Sequence, residues 1–133
     1  MEKNNQERIK LLFVDDEKGF VNVLSKRLSK RGVDVFQAFS GTEGIRAIRK
    51  QDFDVALLDL KMEDMDGLEV LKIFKKIYPE MEVIMLTGHG SETAAKEGIE
   101  YGAFDYLTKP CELEKLFKKV NQAVKKRRGK END

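Results

Sequence analysis

Three short runs of this chain, "IKLLFV" at 9–14, "DVALLD" at 54–59 and "MEVIMLT" at 81–87, are apolar at nearly every position. A strand with one face in water alternates apolar and polar residues, so a strand without alternation must be covered on both faces. A parallel sheet clad in helices provides that cover. Two further β-rich runs, "VDVFQAF" at 33–39 and "FDYLTK" at 104–109, complete a set of five. Segments of helical period follow each strand, near 17–31, 41–51, 67–77, 90–101 and 112–126. The last is the clearest, because Leu113, Leu116, Phe117, Val120 and Val124 share one face while lysines occupy the others. Five strand-then-helix units predict an α/β doubly wound sandwich of three layers. One domain over 8–126 is expected, with flexible tails at 1–7 and 127–133 that lack apolar anchors.

Charge and composition restrict what such a domain does. The 25 Lys plus Arg nearly cancel the 24 Asp plus Glu, so the global charge favours neither a nucleic-acid binder nor an acidic tail, and any electrostatic function must be local. No apolar stretch approaches the ~20 residues that span a bilayer, and "MEKNNQERIK" lacks the apolar segment of a secretory signal. The chain therefore reads as cytoplasmic. Cys111 is the single cysteine, with no partner for a disulfide or for zinc, and reads as a small apolar residue opening the last helix.

In a sheet of this kind ligands gather outside the carboxyl ends of the strands. Strand one ends in Asp15 and Asp16, strand three in Asp59, strand four in Thr87, and strand five in Lys109 followed by Pro110. Three carboxylates on one rim repel one another and stay ionised only beside a cation. Oxygen ligands select a hard metal, Mg²⁺ or Mn²⁺. A calcium loop is disfavoured, since "DLKMEDMDG" lacks the spacing and terminal Glu of an EF-hand. Metal, carboxylate, hydroxyl and lysine together suit phosphoryl transfer to an aspartate, with Asp59 as nucleophile and Lys109, Thr87 and backbone N–H groups receiving the phosphoryl oxygens.

The motifs "LLFVDDE", "DVALLDLKMEDMDG", "IMLTGHGS" and "GAFDYLTKP" resemble, in order and spacing, the receiver domain of bacterial two-component response regulators, a family with a chemotaxis-regulator-like fold. The resemblance covers roughly 8–126 and implies a flavodoxin-like sheet of order 2-1-3-4-5. It implies Asp59 as phosphoacceptor, Asp15, Asp16 and the Lys61 backbone carbonyl as further Mg²⁺ ligands, and Lys109 as the phosphoryl-binding lysine. Thr87 and Tyr106 become the switch pair, and Lys109–Pro110 a cis peptide. The implied donor is a phosphohistidine on a sensor kinase or histidine phosphotransfer protein. The implied output is a repacked face of the fourth helix, fifth strand and fifth helix, which acts on an effector, an output domain or a second copy.

One departure stands out, because the family's loop commonly reads D-x-x-M-P-x-M-D-G and Glu63 occupies the Pro position here, beside Asp64. A looser loop with solvated charges is expected. Lys61 and His89, each two residues beyond a site residue, flank the path of hydrolytic water in this family and are expected to tune the lifetime of the phosphoryl group. The segment 88–101, poor in apolar area and holding Gly98, is expected to be the softest part of the fold. "KKRRGK" at 125–130 reads as a helix end whose cations complement the macrodipole rather than as a nucleic-acid contact. Two alternatives belong to other classes. One is a phosphatase of the haloacid dehalogenase type, whose DxD pattern at the first strand is replaced here by adjacent Asp15-Asp16; the other is a metal-binding interaction module that is never phosphorylated.

Overall fold

The computed structural model describes residues 8–88 and 92–132. Five strands, β1 (Ile9–Val14), β2 (Val33–Ala38), β3 (Val55–Asp59), β4 (Glu82–Thr87) and β5 (Asp105–Thr108), each lead into a helix. The helices are α1 (Lys18–Ser29), α2 (Gly41–Lys50), α3 (Gly67–Ile77), α4 (Glu92–Glu100) and α5 (Leu113–Asn132). All strand pairs are parallel, in the order β2-β1-β3-β4-β5, which is the flavodoxin-like arrangement expected. Each strand bound falls within a residue of the bound read from the sequence.

Alternate residues of each central strand feed opposite layers, so β3 and β4 are buried at every position. Leu12, Val14, Ala56 and Leu58 pack with Ala47 and Ile48 of α2 and Val70, Leu71 and Phe74 of α3. Leu11, Phe13, Val55 and Leu57 pack on the other side with Val21, Leu24 and Leu28 of α1 and Leu116, Val120 and Ala123 of α5.

The last helix continues past the end expected for it at 126 and runs to Asn132. Apolar periodicity does not mark this extension, because polar contacts of Arg127 and Arg128 hold the helix beyond 126. Arg127, only 6% exposed, donates to the Phe53 carbonyl at 3.3 Å and the Tyr78 hydroxyl at 2.7 Å. Arg128 reaches the Arg8 carbonyl at 2.9 Å and Asp54 at 3.3 Å. The basic run thus caps the amino edge of the sheet.

Gly98 also has a packing reason rather than only a propensity cost. A Cβ there would lie 2.2 Å from Sδ of Met85, a residue with no exposed surface, so glycine allows α4 to sit directly on β4. Besides Gly98, only Ala95 of α4 is buried. Two residues past the helix, Gly102 turns the chain with a φ of 108° that suits glycine, and the Ala103 N–H returns to the Gly98 carbonyl at 3.0 Å.

Candidate functional site

The strand ends converge at the carboxyl edge as the parallel order requires. Asp15 and Asp16 follow β1, Asp59 closes the adjacent β3, and Thr87 closes β4. Carboxylate oxygens of Asp15, Asp16 and Asp59 lie within 4.8 Å of one another. Asp15 is fully buried and Asp59 is 5% exposed. Burial, and then the negative charge of Asp15, push the Asp59 carboxyl up to about 6; Lys109 and the Lys61 N–H pull it part of the way back, and Asp16 adds to the rise. The cluster therefore holds more negative charge than the chain itself neutralises. Three oxygen donors from carboxylates fit a hard divalent cation such as Mg²⁺.

Lys109 enters from the far edge of the sheet, where β5 ends and Lys109–Pro110 is a cis peptide. Its Nζ lies 3.0 Å from Asp15, 2.6 Å from Glu17 and 3.8 Å from Asp59. Burial works against the ammonium, but hydrogen bonds to Glu17 and Asp15 and the charge of Asp59 outweigh it and hold its pKa above the usual lysine value. The Phe20 ring lies 4.7 Å from Nζ. Glu17 is a member of this site that strand-end reasoning missed; its only sequence signal was its position beside the acidic pair.

The remaining expected residues divide into those the fold brings to the rim and those it sets apart. Lys61 is exposed, and its N–H points to Asp59 Oδ1 at 3.3 Å. The Thr87 hydroxyl is engaged with the Leu107 carbonyl at 3.4 Å. Tyr106 is half-buried against the α2–α4 layer. His89 lies outside the described residues. Gly67, at the start of α3, leaves no room for a side chain, since a Cβ would sit 2.4 Å from the Leu60 Cα and 2.7 Å from the Asp59 carbonyl oxygen.

The loop after β3 is exposed at Glu63 and Asp64, as expected, but it is tied down rather than loose. Asp64 accepts hydrogen bonds from the Gly41 N–H at 3.0 Å, the Thr42 N–H at 3.1 Å and the Thr42 hydroxyl at 2.9 Å. Desolvation opposes its ionisation, but these bonds outweigh it and hold the carboxyl below its ordinary value. Helix N-termini leave such N–H groups unsatisfied, so the first turn of α2 is an anchor for this carboxylate.

The sequence model of the family described as response regulator receiver domain matches residues 11–121. The chain belongs to that family. The transcriptional regulatory protein GlrR of Escherichia coli (strain K12) is 38% identical over 114 residues, which cover 86% of this chain and 26% of that protein. The receiver thus spans about a quarter of the length of the curated relatives it matches. A response regulator receiver domain protein from Clostridium thermocellum superposes with a TM-score of 0.87 at 36% identity, covering 90% of this chain and 97% of that one. The receiver domain of Francisella response regulator 1452 gives 0.82 at 33% identity, covering 89% and 98%. Among the described residues of this receiver no helix is long and apolar enough to cross a membrane.

Proposed function

We propose that this receiver takes a phosphoryl group onto Asp59 from a phosphohistidine of a sensor kinase or histidine phosphotransfer protein, with Mg²⁺ held by Asp15, Asp16, Asp59 and the Lys61 carbonyl. The observation that carries the reading is the buried three-carboxylate cluster with Lys109 beside it. An Asp59 oxygen forms a bond to phosphorus while the bond from phosphorus to the imidazole nitrogen breaks. The electron pair stays on that nitrogen, which takes a proton from solvent. When bound, Mg²⁺ supplies the charge that keeps Asp59 ionised and offsets the phosphoryl oxygens.

Lys109 shifts from Glu17 and Asp15 toward the new phosphoryl group, and Thr87 exchanges the Leu107 carbonyl for a phosphoryl oxygen. Tyr106 then turns into the space left by Thr87. The face of α4, β5 and α5 repacks, and α4 moves most because it buries least. Lys61 and His89 tune how long the phosphoryl group survives. That face meets an effector, an output domain or a second receiver. The domain catalyses only its own phosphorylation and dephosphorylation, and it works in the cytoplasm.

The test is intact mass after incubation with acetyl phosphate and Mg²⁺, set against Asp59→Ala and an EDTA control. One added phosphoryl group that requires both Asp59 and the metal is expected. No addition, or addition that survives Asp59→Ala, refutes the reading. Repeated turnover of small phosphate esters would point instead to a phosphatase.

A further inference from the structure

The residue at 63 replaces a proline common in the family's loop, and proline has no backbone N–H. Here the Glu63 N–H donates to Asp16 Oδ2 at 3.0 Å, although the two residues are 47 apart in sequence. Asp15, by contrast, is fixed by other partners, the Glu17 N–H at 3.0 Å and Lys109 at 3.0 Å. Asp16 is the more exposed of the pair and has no such lysine contact among the described residues. The loop that presents the Glu63 donor is itself held, because the next residue, Asp64, grips the first turn of α2 through three hydrogen bonds. That turn is well organised, with the Ser40 hydroxyl accepting from the Glu43 N–H and the Glu43 carboxylate accepting from the Phe39 N–H.

We infer that the Glu63 backbone N–H, held in place by Asp64 on the N-terminus of α2, is a positioning group that presets Asp16 for the metal. This inference rests on the proposed Mg²⁺ site and adds to it a donor that a proline at position 63 could not supply. The donor is backbone, so the side chain at 63 is dispensable and the N–H is not. A carboxylate whose one oxygen is already bound to a fixed donor loses less freedom when its other oxygen takes a cation. Proline at 63 would leave Asp16 to be ordered by the metal alone. Because the effect lies in metal binding, saturating Mg²⁺ should restore the chemistry that the substitution weakens.

The test is titration of ¹⁵N-labelled protein with MgCl₂, read from backbone amide shifts, in wild type, Glu63→Pro, Glu63→Gln and Asp64→Ala. Glu63→Pro is expected to weaken Mg²⁺ binding by about tenfold or more. Glu63→Gln, which keeps the N–H, should stay within about threefold of wild type. Asp64→Ala should fall between them. Phosphorylation by acetyl phosphate should recover in Glu63→Pro at saturating Mg²⁺, which separates a positioning role from damage to Asp59. Equal binding by Glu63→Pro and wild type, or equal weakening by Pro and Gln, overturns the inference while leaving the proposed site intact. A wild type that binds no Mg²⁺ overturns the site itself. Should Glu63→Pro not fold, exchange of the Glu63 amide decides: protection in wild type that is lost in Asp16→Ala supports the contact, and unchanged exchange overturns it.

Discussion

The two ends of the sheet both gather charge at low exposure, and they settle it differently. At the amino end, Asp54 accepts from the Lys10 N–H and from Arg128, Lys126 stands 3.9 Å from Glu82, and Arg127 donates to Phe53 and Tyr78. Acids and bases there are matched by the chain itself. At the carboxyl end, Asp15, Asp16 and Asp59 cluster while Lys109 pairs with Asp15, Asp59 and also Glu17, and the mismatch appears in Asp59, whose carboxyl is pushed up to about 6. Charge that holds the fold together is paired internally. Charge left in deficit, as at Asp15, Asp16 and Asp59, is where a cation from outside would fit.

The largest test of that contrast is Arg127→Ala. It removes the donor from the buried Phe53 carbonyl and the half-buried Tyr78 hydroxyl and empties the space of the side-chain stem, so a loss of about 3 kcal/mol in urea unfolding is expected. Phosphoryl uptake by the folded variant should remain near wild type; if Arg127→Ala costs nothing, the amino-end pairing is not structural.

Asp59→Asn should act in the opposite direction. Removing a charge that its surroundings resist is expected to stabilise the metal-free chain by about 2 kcal/mol at pH 7. It should also abolish phosphorylation and blunt the stabilisation expected of Mg²⁺ in the wild type. Destabilisation instead would mean that the chain already neutralises the carboxyl end.

The pH dependence sharpens the same point. Folded, Asp59 keeps its proton up to about pH 6, whereas in the unfolded chain it releases it near 3.8. The folded state therefore binds the extra proton between those values, and this group's contribution is lost as pH rises through that window. In metal-free protein, Asp59→Asn should remove a fall in stability between about pH 4 and 6, seen by subtracting the variant's urea midpoints from those of wild type. A difference that is flat with pH contradicts the shift.

The smallest effect belongs to Lys126→Ala. Its long contact to Glu82 is half-exposed on the lysine side, so a change within about 0.5 kcal/mol is expected. A larger loss would show that Lys126, rather than Arg127, carries the charge balance at that end.

Much of this was legible in the sequence. Strands apolar on both faces require a covered parallel sheet, and the residues ending those strands, Asp15, Asp16, Asp59, Thr87 and Lys109, then necessarily share one edge. The less legible features depend on partners distant in sequence. Glu17 stands beside the acidic pair in sequence, but its place in the site depends on Lys109, 2.6 Å away and 92 residues on. Asp64 is exposed, as a loop charge should be, yet its anchoring on the first-turn N–H groups of α2 depends on residues 22 and 23 positions away. Gly98 looked like a weakness until Met85 occupied the space beneath it.

What the sequence determined by itself was the layer architecture and the roster at the carboxyl edge, because periodicity and strand ends are local properties of the chain. Only the tertiary structure decided that the last helix continues past 126, which loop holds Asp16 and how far Asp59 resists ionisation. Each of those depends on desolvation and on hydrogen-bond partners 20 or more residues away, which exist only once the layers have packed.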